Sequence, residues 1–198
     1  MSEIVNKMQK EIIDRANNFE KQTKGTKDEY NIYREHIQYV YKYVLFLSKG
    51  KNVNLEVLEL SALLHDIAMT NQSLDRAKHN EDGALIAEKL LRNNNYPEDK
   101  IAMVKKCILN HSSKRAEYRT TEEEKILVDA DCLSHFDSIE NLYSLAHNVM
   151  ELNEKDTINF IKEKLTRDYN EISDDLKVLI QSKYDKIMNA KSIQEILI

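Results

Sequence analysis

Ser61-Ala62-Leu63-Leu64-His65-Asp66-Ile67-Ala68-Met69 is the stretch on which the reading of the chain turns, an apolar run of helical character that carries an adjacent histidine and carboxylate near its end. An ionised carboxylate among apolar residues costs roughly several kcal/mol unless it is paired or coordinated. A metal ion is therefore the first explanation to test, and a buried His–Asp hydrogen-bonded pair is the second. Consecutive helical residues diverge by about 100°, so His65 and Asp66 share one ion only if it lies in the angle between them, an arrangement open to them near a helix end.

The flanking chain supplies further candidates on separate helices. Upstream, the spacing predicts a helix from Glu29 to about Ser48 with Tyr33, His36, Ile37, Val40, Tyr41, Val44 and Leu47 on one face, so His36 points inward. Asn54 reads as the N-cap of the central helix, which is expected to run to Ala68 or Met69. Downstream, residues 70–78 are polar and read as a loop. His79 then opens a helix through Leu91 in which His79, Gly83, Ala87 and Leu90 align, and a glycine one turn after a histidine suggests close approach of another segment.

Pro97 is expected at the first position of the next helix, with Glu98 and Asp99 in its first turn. There Ile101, Val104, Ile108 and His111 follow at steps of three and four, so His111 prolongs a core stripe. Lys105, Lys106, Lys114, Arg115 and Arg119 gather positive charge near that helix end. Lys114 and Arg115 are the candidates for holding a phosphate, and a solvated basic face is the plainer account. Thr120-Thr121-Glu122-Glu123 has capping-box spacing and starts a helix that carries Asp129 and Asp131. These acids lean to different faces, so one of them is expected to reach a common centre, and periodicity does not say which. His135, one turn after Asp131, reads as a helix-face residue.

Bulk properties bound the class. The chain has 198 residues, three Gly, one Pro and 32% charged residues, too little turn punctuation for a sheet, so an all-α single domain over 1–198 is expected. Helices at 3–22 and within 154–195 are amphipathic and show no chemistry of their own. The latter are expected to complete or cover the bundle, and such spare faces also admit a homodimer. A net charge of −5 with dispersed basic residues argues against duplex nucleic acid. No apolar run approaches the roughly 18 to 20 residues of a membrane span, and the N-terminal residues do not form a signal peptide, so a cytoplasmic protein is expected. Cys107 and Cys132, both in apolar contexts, read as reduced buried thiols.

The order His36, His65-Asp66, His79, His111, Asp131 resembles the HD-domain superfamily of metal-dependent phosphohydrolases, with Leu-Leu-His-Asp-Ile-Ala as the central motif and residues 30–140 as the metal-site core. The resemblance implies a helical bundle of about seven to nine helices. It also implies that His36, His65, Asp66 and Asp131 hold one metal. The apolar continuation Cys132-Leu133 favours the second acid over Asp129. His79 and His111 look like the extra histidines of subfamilies with two metals bridged by the motif aspartate. Should one ion bind, they become groups for phosphate contact or proton transfer, so Asp66, His79 and His111 are the catalytic candidates. No Gly-Tyr-Pro follows His111, unlike the cyclic-dinucleotide phosphodiesterase subgroup, and Ile67-Ala68-Met69 stands where stringent-response hydrolases carry Glu-Asp. The implied activity is hydrolysis of a small phosphorylated molecule, a nucleotide foremost, using Mn, Fe, Co, Zn, Ni or Mg. The alternative is an HD-type binding or regulatory module with little turnover.

Overall fold

The computed structural model describes residues 2–71 and 75–197, and among these every regular element is a helix, as the sequence implies. The chain divides into two compact units, residues 1–130 and 131–198, and the division falls inside one helix. In the first unit lie α1 (Glu3–Thr23), α2 (Gln38–Leu47), α3 (Leu55–Leu64), α4 (His79–Asn93), α5 (Glu98–Asn110) and the start of α6 (Glu122–Asp137). α3 is its centre. From Val57 to Leu64 every residue of this helix is buried, as expected of a helix packed on several sides, and α1, α2 and α5 all pack against it. α4 and α5 pair along their length.

Two departures from simple helical periodicity position the chemistry. The expected Glu29–Ser48 helix instead opens with a π-helical turn, Tyr33–Ile37, before α2. Its entry is tied to α1 through Asn31, which is 1% exposed and donates to Asn17 at 3.1 Å and to Glu20 at 2.9 Å, while Arg34 pairs with Glu20. The π-helical turn follows directly on that anchor, and wide turns of this kind recur at functional sites. The second departure is the end of α3. Asn54 caps its start, accepting from Val57 N–H at 3.2 Å, but the helix stops at Leu64 rather than at Ala68 or Met69. His65 keeps helical dihedrals, Asp66 leaves them (φ −111, ψ 21), and a 3-10 turn follows over Ile67–Thr70. Of the loop expected at 70–78, residues 72–74 lie outside the described residues, and Arg76–Lys78 form a 3-10 turn leading into α4. Pro97 precedes α5 as its N-cap residue instead of occupying its first turn.

The second unit holds the remainder of α6, α7 (Ile139–Ser144), α8 (Glu154–Glu171), α9 (Gln181–Asn189) and α10 (Ile193–Leu197). Its core includes Leu133, Phe136, Ile161, Leu165 and Ile187. No helix of the described residues is long and apolar enough to cross a membrane.

Candidate metal centre

Five sequence candidates meet at one point in the first unit. His36 arrives on the π-helical turn, His65 and Asp66 on the broken end of α3, His79 at the first residue of α4, and His111 just past the last residue of α5. The break after Leu64 resolves the divergence problem, because Asp66 turns out of the helix and its carboxylate swings back toward the face of His65. Oδ2 of Asp66 lies 3.6 Å from Nε2 of both His36 and His65, and Oδ1 lies 3.7 Å from Nε2 of both His79 and His111. Within each pair the ring nitrogens are close, 3.1 Å for His36 and His65 and 3.2 Å for His79 and His111. One carboxylate thus faces two histidine pairs with its two oxygens.

The orientation of two rings follows from their partners. His65 Nδ1 lies 2.9 Å from the Ala62 carbonyl and His111 Nδ1 lies 2.6 Å from the Ile108 carbonyl. A carbonyl only accepts, so each Nδ1 carries a hydrogen and donates it, and each ring turns its Nε2 to the centre. Burial raises the Asp66 carboxyl, but His65, His36, His111 and His79 together outweigh it and hold its pKa at about 2, so the carboxylate is ionised.

These residues fit a divalent cation. Asp66 Oδ1 is buried and has no hydrogen-bond partner among the described residues, while the imidazoles around it stand too far for a hydrogen bond. Leaving a buried anionic oxygen unsatisfied costs more than about 1–3 kcal/mol, a cost that an ion removes. Ligand atoms of Asp66, His79 and His111 all lie within 4.8 Å of one another, and imidazole with carboxylate is a donor set for borderline first-row metals. Close packing sets the height of α4 here. A Cβ on Gly83 would stand 3.0 Å from the His65 carbonyl oxygen, so glycine is what lets α4 come this near to the end of α3.

The remaining candidates are the two acids of α6 and the basic residues around the end of α5. Asp129 is buried on α6 in the first unit, and Asp131, two residues on, opens the second unit half-buried on the same helix. Lys114 is exposed. Arg115 donates to Asn110 Oδ1 at 3.0 Å and stacks over Tyr118, and Arg119 donates to the carbonyls of Asn110 and Ser112, so both guanidinium groups serve the end of α5. Lys105 and Lys106 pair with Glu88 and Glu124.

In the second unit His135 is more than a helix-face residue. Its Nδ1 lies 3.2 Å from Asp168 Oδ2, and Lys164 donates to the other Asp168 oxygen at 2.7 Å. Burial raises the Asp168 carboxyl, and His135 and Lys164 more than reverse this. The cluster was missed in sequence, although Asp168 continues the Ile161, Leu165 stripe of α8 at a step of three, a charge on an apolar face. Asn80, Asn110 and Glu124 were also missed.

Residues 33–141, more than half of the chain, match the HD domain family. The chain belongs to the HD-domain family, whose superfamily comprises metal-dependent phosphohydrolases. An uncharacterized protein of Clostridium beijerinckii (strain ATCC 51743 / NCIMB 8052) is 31% identical over 71 residues, 36% of this chain and 45% of that relative. The match therefore spans less than half of the relative's length. No solved structure matches the chain.

Proposed function

We propose that the protein hydrolyses a small phosphorylated molecule, a nucleotide foremost, at a two-ion centre. The observation that carries this reading is the Asp66 carboxylate, which turns one oxygen to His36 and His65 and its other, unsatisfied oxygen to His79 and His111. His36, His65, Asp66 and Asp131 would hold the first ion, and Asp66, His79 and His111 the second. Divalent ions there supply Lewis acidity and lower the pKa of a bound water from about 16 toward about 7.

The chain's own groups do the rest. Nδ1–H bonds to backbone carbonyls keep His65 and His111 aimed, so neither ring needs to reorganise during the reaction. His79 is the most accessible of the five, its side chain 27% exposed where that of His65 is fully buried, so substrate approaches from the α4 side. With Arg115 and Arg119 engaged at the end of α5, the exposed Lys114 of the same basic run would meet a phosphate. We take the whole chain as one functional HD protein, since the family match itself runs across the division between the two units.

The test is phosphate release from a panel of nucleotides and generic phosphate esters, with and without manganese. Metal-stimulated release is expected, and Asp66→Ala is expected to lose both metal and activity. A fully active, metal-loaded Asp66→Ala protein overturns the proposal. Tight binding of one panel member without turnover would assign the chain to the ligand-binding class instead.

A further inference from the structure

Each histidine of the second pair has a buried asparagine beside it in sequence. Asn80, 6% exposed, donates from Nδ2 to the Leu109 carbonyl at 2.9 Å, tying the first turn of α4 to the last turn of α5. Asn110, 4% exposed, donates from Nδ2 to Oε1 of Glu124 at 2.6 Å. Glu124 is 1% exposed, and its Oε2 accepts from Thr120 N–H at 3.0 Å and from the N–H and hydroxyl of Thr121, each at 2.9 Å. Arg119 donates to the carbonyls of Asn110 at 2.8 Å, His111 at 3.3 Å and Ser112 at 3.0 Å, groups that a helix end leaves without partners.

Capping alone does not call for this arrangement. α8 is capped by Asn153, which accepts from Asp156 N–H at 3.0 Å on an exposed surface, with no buried charge. An ionised carboxylate buried at the end of a helix costs far more to install than such a cap. What the buried groups achieve that a surface cap does not is to fix α4, α5 and α6 against one another where His79 and His111 sit.

We propose that Asn80 and the Asn110–Glu124 pair are positioning residues for the second ion, holding His79 and His111 with Nε2 atoms 3.2 Å apart before the ion arrives. The proposal rests on the two-ion reading above. The first pair lies outside this clamp, His36 on the π-helical turn anchored on α1 and His65 at the end of α3. Loss of the clamp therefore acts on one ion and spares the other. Partners behind a metal ligand typically govern 10–100-fold in affinity, so an effect of about that size is expected.

The experiment is manganese titration of the full chain by calorimetry, with elemental analysis of the loaded protein. It compares wild type with Asn80→Ala, Glu124→Gln and, as a destabilised control, Asn153→Ala. Wild type and Asn153→Ala are expected to bind two ions per chain, the control melting earlier. Asn80→Ala and Glu124→Gln are expected to keep the tight first ion and to bind the second about 10–100-fold more weakly. Two ions bound with unchanged affinities in both variants overturns the proposal, and so does equal weakening of both ions, which would mark a purely structural role. A wild-type chain that binds fewer than two ions overturns the two-ion reading itself, a result separate from either.

Discussion

Gly83→Ala tests how closely the centre depends on helix approach. The new Cβ would lie 3.0 Å from the His65 carbonyl oxygen, with Ile108 Cγ2 at 3.6 Å and Ala68 Cβ at 3.9 Å. The latter two are ordinary contacts. The first is backbone, so α4 and the end of α3 must separate by a few tenths of an ångström. Alanine favours the helix by about 1 kcal/mol over glycine, whereas overpacking of this kind costs about 1–3 kcal/mol. The net is a loss of about 0–2 kcal/mol, a fall in Tm of at most about 8 °C for a chain of this size. The centre is less tolerant. The displaced carbonyl belongs to His65 and leads into Asp66, and metal sites hold their ligand distances to about 0.2 Å. Manganese affinity is therefore expected to drop at least about tenfold while the fold survives. Calorimetric titration beside a thermal melt reads both quantities. A Gly83→Ala protein that binds manganese as wild type does would refute the argument, whatever its Tm.

Other outcomes follow from the same structure. Burial raises the Glu124 carboxyl, but bonds from Asn110, Thr120 and Thr121 reverse this and leave a folded pKa of about 2, against about 4.3 in the unfolded chain. A depressed folded pKa means that this contribution, of order 3 kcal/mol, is complete above about pH 5 and lost as pH falls toward 2. Urea melts of wild type and Glu124→Gln between pH 7 and 3 should converge as pH falls, and parallel curves would contradict the assignment. Asp168→Ala leaves Lys164 and His135 without their shared carboxylate and should cost about 3–5 kcal/mol in denaturant midpoint analysis, with a loss below about 1 kcal/mol as the contrary result. Cys107 and Cys132 are buried, with burial pushing the Cys107 thiol to about 12 and Cys132 well above its usual value. Neither should react with iodoacetamide at pH 8 until the protein is unfolded, and rapid labelling of the native chain would contradict this.

Much of this architecture is legible because helices announce themselves by spacing. Ile101, Val104, Ile108 and His111 share one face in sequence, and in the structure the first three are core and the fourth is buried just past the helix end. What escapes periodicity is where a helix departs from 3.6 residues per turn. The π-helical turn at Tyr33–Ile37 follows Asn31, whose bonds to Glu20 and Asn17 on α1 are tertiary contacts that no local pattern records. The stop after Leu64 is hidden because Ile67 and Ala68 are as apolar as the residues before them, and both are buried in a different conformation. The capping box lies one residue further on than the Thr120 to Glu123 spacing suggests. Thr121 and Glu124 exchange bonds, and Glu123 instead accepts from Asn54 N–H at 2.9 Å. Two overlapping Thr-x-x-Glu frames cannot be separated until the partners are known. Asn80 and Asn110 were invisible for a related reason, since asparagine beside a histidine carries no pattern until its amide meets a backbone carbonyl or a buried acid.

The most direct test of the centre is metal content per chain by elemental analysis, after exposure to manganese and removal of the excess. Two ions per wild-type chain and none in Asp66→Ala are expected. A wild-type chain that retains no metal would contradict the account at its root, leaving four histidines and an aspartate gathered for some other purpose.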